Sequence, residues 1–118
     1  MDRVISQKVN KAIENWKDSN FAEVVEFLKS CEYAELVEFG YLVEENDIDI
    51  KAVLEKSELE NCQTSIDVID ALDGIKANNN YRVKASWGAM NDAETLILGV
   101  YLKRCDLSLD NFFDILNS

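Results

Sequence analysis

The stretch Val9-Asn10-Lys11-Ala12-Ile13-Glu14-Asn15-Trp16-Lys17 returns half a chain length later, without a gap, as Val68-Ile69-Asp70-Ala71-Leu72-Asp73-Gly74-Ile75-Lys76. Apolar or large residues stand at the same places in both copies, and their spacing is that of one face of an amphipathic helix. The same offset lays Ala34-Glu35 on Ala93-Glu94 and Gly40 on Gly99. It also lays Asp47-Ile48-Asp49-Ile50-x-x-Val53-Leu54 on Asp106-Leu107-Ser108-Leu109-x-x-Phe112-Phe113. One ungapped offset that serves separate segments points to a duplicated helical unit, with pseudo-repeats 1–59 and 60–118. Each unit on its own leaves an apolar stripe uncovered, so two units stacked on one core is the expected arrangement. The middle segments, 21–33 against 80–92, match poorly.

Outward from these anchors the reading is all-α, a single domain of about seven helices. A first helix runs from about Arg3 to Lys17. Asn20 with Glu23 has the spacing of a capping box before a second helix through Phe21, Val24, Val25, Leu28 and Cys31. A third carries Leu36, Val37, Tyr41 and Leu42 or Val43, and Asn46 and Asp47 interrupt it. Asp49 caps a short fourth around Val53 and Leu54. Thr64 or Ser65 opens the next, through Ile66, Ile69, Leu72 and Ile75, and Asn78-Asn79-Asn80 ends it. Asn91 with Glu94 forms a further box, and Ser108 caps the last helix. Between 81 and 87 the alternation of Tyr81, Val83, Ala85 and Trp87 with polar residues reads as an extended connection or a short irregular helix, with a small hairpin as the other possibility. Gly40 and Gly99, at equivalent positions, mark a close helix crossing.

Composition narrows the chemistry. The 118 residues contain 12 Lys and Arg, 23 Asp and Glu, no His, no Pro and three Cys. Without imidazole, the Ser/His/Asp triad, the Cys/His pair and the common zinc sites are excluded. Cys31, Cys62 and Cys105 form no CxxC pair and read as buried free thiols of a reducing cytosol. Asp47-x-Asp49 with Glu58 has the outline of a calcium loop, yet Lys51 stands at the third ligand position and Ala52 where the turn needs glycine. The four glycines are isolated, so no dinucleotide fingerprint or phosphate loop is present. No cofactor, metal or catalytic residue is expected. A net charge of -11 makes direct nucleic-acid or anionic-membrane binding unfavourable.

The acid excess is uneven. Residues 1–59 hold 14 acids and 7 bases, residues 60–118 hold 9 and 5. From Ser30 to Ile50 there is no Lys or Arg at all. This run supplies the candidate partner-binding residues Glu32, Glu35, Glu38, Tyr41, Glu44, Glu45, Asp47 and Asp49, an acidic face with Tyr33 and Tyr41 as aromatic anchors. The expectation is a cytoplasmic, non-enzymatic inhibitor of the immunity-protein or antitoxin type, set against a basic toxin such as a nuclease. A DNA mimic of the anti-restriction or anti-CRISPR kind would instead spread its acids over both halves with duplex-like spacing. A helical adaptor would expose Trp87, Phe112 or Phe113 as an apolar patch.

Overall fold

A computed structural model describes residues 4–59 and 66–118. The described residues form eight α-helices and no strand: α1 Gln7–Lys17, α2 Phe21–Ser30, α3 Tyr33–Glu45, α4 Ile50–Lys56, α5 Ile66–Lys76, α6 Asn80–Ala89, α7 Asp92–Arg104 and α8 Leu109–Leu116. The bounds of α1, α2 and α3, moved on by half the chain, are those of α5, α6 and α7, and α8 begins where α4 so moved begins. The offset therefore extends through the middle segments, where the sequence match is poor.

The 81–87 segment is the main correction. It lies in a regular helix, α6, because the Asn79 side chain caps the Arg82 N–H and the buried positions are Val83, Ser86 and Met90, a helical stripe. Tyr81, one of the alternating apolar residues, is 83% exposed. The first helix begins at Gln7, where Ser6 accepts a bond from the Lys8 N–H. Asn20 makes no side-chain capping bond, and the box appears one helix later, between Glu32 and Glu35. The caps expected at Asp49, Asn91 and Ser108 are formed. Thr64, Ser65 and Cys62 lie outside the described residues.

Helices stop here without glycine. Ser19, Asp47, Glu58, Asn78 and Asp106 adopt positive φ near 60°. Each is followed by an N–H that reaches back to a carbonyl five residues earlier, as in Ile48 to Val43 at 2.9 Å and Leu107 to Leu102 at 2.8 Å. This closure is the Schellman arrangement, and Asp and Asn tolerate its left-handed residue better than most. Ser19 with Asn78, and Asp47 with Asp106, are again related by the half-chain offset.

The core is organised around α3 and α7. A Cβ built on Gly40 would stand 2.0 Å from the Leu96 carbonyl oxygen, and one on Gly99 would stand 2.1 Å from that of Val37. Leu96 is the half-chain counterpart of Val37, so the contacts are reciprocal, as a twofold-related interface requires. The backbones touch where the side chains are absent, which makes the glycine pair at this crossing obligatory. Because α3 and α7 are covered on several sides, they bury consecutive residues: Leu36 to Gly40 in one, Ala93 to Val100 in the other. α1 packs beside α3 and carries α2 against it, α5 packs beside α7 and carries α6 against it, and α8 closes on α6.

Candidate functional site

Of the eight residues expected to form one acidic face, the structure divides seven between the two ends of α3 and buries the eighth. Glu38 is 2% exposed and belongs to the interior. Its place in the row of acids three residues apart lands on a helix with little outward face, so charge spacing does not report the exposed side. At the N-terminal end, Glu35 accepts from the Glu32 N–H at 3.2 Å and from the Ser6 hydroxyl at 3.2 Å, while Glu32 caps the helix in return. These two carboxylates hold the start of α3. Burial, reinforced by Glu35, pushes the neighbouring Cys31 thiol up to about 12. It is uncharged and poorly nucleophilic at neutral pH. Cys105, by contrast, is exposed, which corrects the expectation that the thiols are buried.

The C-terminal end gathers Tyr41, Glu44, Glu45, Asp47 and Asp49. Thirteen residues of helix separate the two ends, about 20 Å at 1.5 Å per residue. Tyr41 is half-buried, Glu45, Asp47 and Asp49 are exposed, and Glu44 is partly covered. Asp49 accepts from the Lys51 N–H at 3.0 Å as the cap of α4.

Two of these acids are matched by the second half of the chain. Arg104 grips Glu44 with two bonds, Nε at 3.2 Å and a terminal nitrogen at 3.0 Å. Lys103 lies 3.8 Å from Glu45, with its ammonium 5.5 Å from the centre of the Tyr41 ring. The hydrogen bond that Arg104 donates to Glu44 raises the Arg104 pKa above its ordinary value. Lys103 and Arg104 are the half-chain counterparts of Glu44 and Glu45, so a reciprocal contact between the two last turns joins opposite charges. Two bases also suit the last turn of α7, where the helix dipole is negative. The Ser30 to Ile50 run is thus not uncompensated, because its cations arrive from the far half of the sequence. That partnership has no local signal; only the offset itself, which puts Lys103-Arg104 on Glu44-Glu45, discloses it.

Lys17 bonds the Asn46 side chain at 2.8 Å, and Lys51, in the first turn of α4, is exposed. Among the described residues no Lys or Arg forms an ion pair with Asp47, Asp49, Asp106 or Asp110. Asp106 and Asp110 belong to the α7–α8 corner and are absent from the site expected on sequence grounds. Between this corner and α3 lies an open cleft of 330 Å³. Elsewhere Trp87 is half-buried, ringed by Tyr33 at 6.2 Å and Phe112 at 5.5 Å, and Phe112 and Phe113 are buried. They form no exposed patch.

No protein-family model, curated protein or solved structure matches the chain. Among the described residues, no helix is long and apolar enough to cross a membrane.

Proposed function

We propose that this protein is a non-enzymatic inhibitor that binds and neutralises a basic protein, as an immunity protein or antitoxin does for a toxin such as a nuclease. The supporting observation is the shared C-terminal end of α3 and α7, where, among the described residues, Asp47, Asp49, Asp106 and Asp110 stay without an ion pair after Lys17, Lys103 and Arg104 are engaged. Unmatched carboxylates close together repel one another and favour any cationic surface that comes to them. The arrangement moves the proposed face from the whole of α3 to one end of it, extended onto the start of α8. A net charge of -11 adds long-range attraction of the same sign. The cytoplasm is the compartment in which such an inhibitor would meet its target.

The test is protection. The chain is co-expressed with the basic C-terminal domain of a toxin encoded beside its own gene, and host survival is scored. Survival that is lost when Asp47, Asp106 and Asp110 become Asn is the expected result. Death despite well-folded inhibitor, with no association at low ionic strength, would reject the reading.

A further inference from the structure

The cleft at this acidic end has a lining that the charges alone do not explain. Its floor is aliphatic, with Leu42 and Leu109 buried and Ile5 and Leu107 half-buried. Tyr41 stands in its wall, and Glu45, Asp106 and Asp110 stand around it. A volume of 330 Å³ is at the small end of ligand sites, which run from about 300 to 1,000 Å³. It suits one long side chain rather than a cofactor. An aliphatic floor under a carboxylate rim is complementary to a side chain with a methylene stem and a cationic head. The protein carries its own example of the head-group contact: the Lys103 ammonium lies over Tyr41 and beside Glu45. One ammonium among three carboxylates leaves the rim negative.

We infer that this cleft is the socket for a single arginine side chain of the basic partner, an inference that rests on the acidic-end reading above. The planar guanidinium stacks on an aromatic ring, is weakly hydrated and reaches two carboxylates at once, whereas an ammonium is a compact, strongly hydrated point charge. At the positions related by the half-chain offset, Glu45 becomes Arg104 and Asp110 is matched by Lys51, so cations replace two of the three rim carboxylates, while Asp106 is matched by Asp47 and Leu42 by Tyr101.

The probes are hexa-arginine and hexa-lysine peptides, titrated into the full-length, isotopically labelled protein at low salt. Hexa-arginine is expected to bind about tenfold more tightly than hexa-lysine and to shift the amides of Tyr41 and of Leu107 through Asp110. Leu107→Trp, which fills the cleft at unchanged charge, should bring hexa-arginine down to the hexa-lysine affinity. Should that variant fold poorly, Glu45→Gln with Asp110→Asn serves the same purpose and should remove the shifts at Tyr41. Equal affinity of the two peptides for the wild type, or unaltered hexa-arginine binding by the filled cleft, overturns the socket while leaving a salt-sensitive acidic end in place. Absence of binding by either peptide overturns the acidic-end reading, and the socket with it.

Discussion

In α1 and α2 the acids and bases are arranged one way, and in α5 and α6 they are arranged the other way. Lys8 and Lys11 line α1 opposite Glu23 and Glu26 of α2, across an open groove of 260 Å³. Moved on by half the chain, Lys8 and Lys11 become Asp67 and Asp70, and Glu23 becomes Arg82. There Arg82 bonds Asp70 at 2.7 Å and approaches Asp73 at 3.7 Å. Gly74, with Val83 against it where a Cβ would sit, lets that second hairpin close, whereas the first has Asn15 at the equivalent place. The same inversion appears at the last turns of α3 and α7. Apolar spacing and the glycine crossing hold the shared backbone, while the sign of a surface charge is free to differ provided that the facing helix differs with it. At Asp47 and Asp106, which the offset also relates, both halves are acidic and neither residue forms an ion pair among the described residues, so that excess is left for something outside the chain.

The largest effect should come from the feature both halves share. Gly40→Ala and Gly99→Ala each force a Cβ into a carbonyl oxygen and should lower unfolding free energy by about 3 kcal/mol, the upper range for overpacking. The two losses should be nearly equal in urea denaturation, because the contacts are reciprocal. Gly88 lies in α6 and has no heavy atom near the place an added methyl would take. Gly88→Ala should therefore gain about 0.5 to 1 kcal/mol from helix propensity. Loss of that contrast would break the account of the crossing.

A smaller effect separates the helix ends. Glu58 holds φ 57° after α4 without the local hydrogen bonding that makes Asp and Asn tolerant of that region. Glu58→Gly should stabilise by about 1 kcal/mol, with a smaller gain for Asp47→Gly, both read from the thermal midpoint.

Smaller again is the charge inversion between last turns. Glu44→Lys with Glu45→Lys sets four cations together and should cost about 0.5 kcal/mol, since such pairs are partly exposed. Adding Lys103→Glu and Arg104→Glu should restore most of it, and the difference should fade in 1 M salt, where the Debye length is about 3 Å. The least costly test concerns thiols. With Cys31 raised to about 12 from an ordinary 9.0, alkylation near pH 8 should modify exposed Cys105 well before Cys31, as peptide mass mapping would show. The raised value favours the folded state fully below pH 9.0 and loses that contribution as pH climbs toward about 12.

Much of the fold is legible from residue types alone. The apolar stripe of α1, the caps at Asp49, Asn91 and Ser108, and the paired glycines are local or near-local signals. What is illegible has physical reasons. Ser86 takes a buried position in α6, so the stripe there looks polar and the period of two in Tyr81 to Trp87 wins by default. In α3 and α7 burial on several sides erases amphipathic contrast, and Glu38 therefore reads as surface. The acidic end itself is half legible: Tyr41, Glu44, Glu45, Asp47 and Asp49 do share one end of α3. Asp106 and Asp110, which complete it, and Arg104, which neutralises part of it, come from the other half through the α3 and α7 packing.

The claim that this end receives a basic protein is tested most directly by association kinetics with a basic toxin domain, where a neighbouring gene encodes one. The quadruple variant Glu45→Gln, Asp47→Asn, Asp106→Asn, Asp110→Asn is compared with the wild type as salt is raised from about 0.01 to 0.1 M, which shortens the Debye length from about 30 to about 10 Å. Fast wild-type association that slows steeply with salt, against slow and nearly salt-independent association of the folded variant, is the predicted result. Equal rates and equal salt dependence for the two proteins would contradict it.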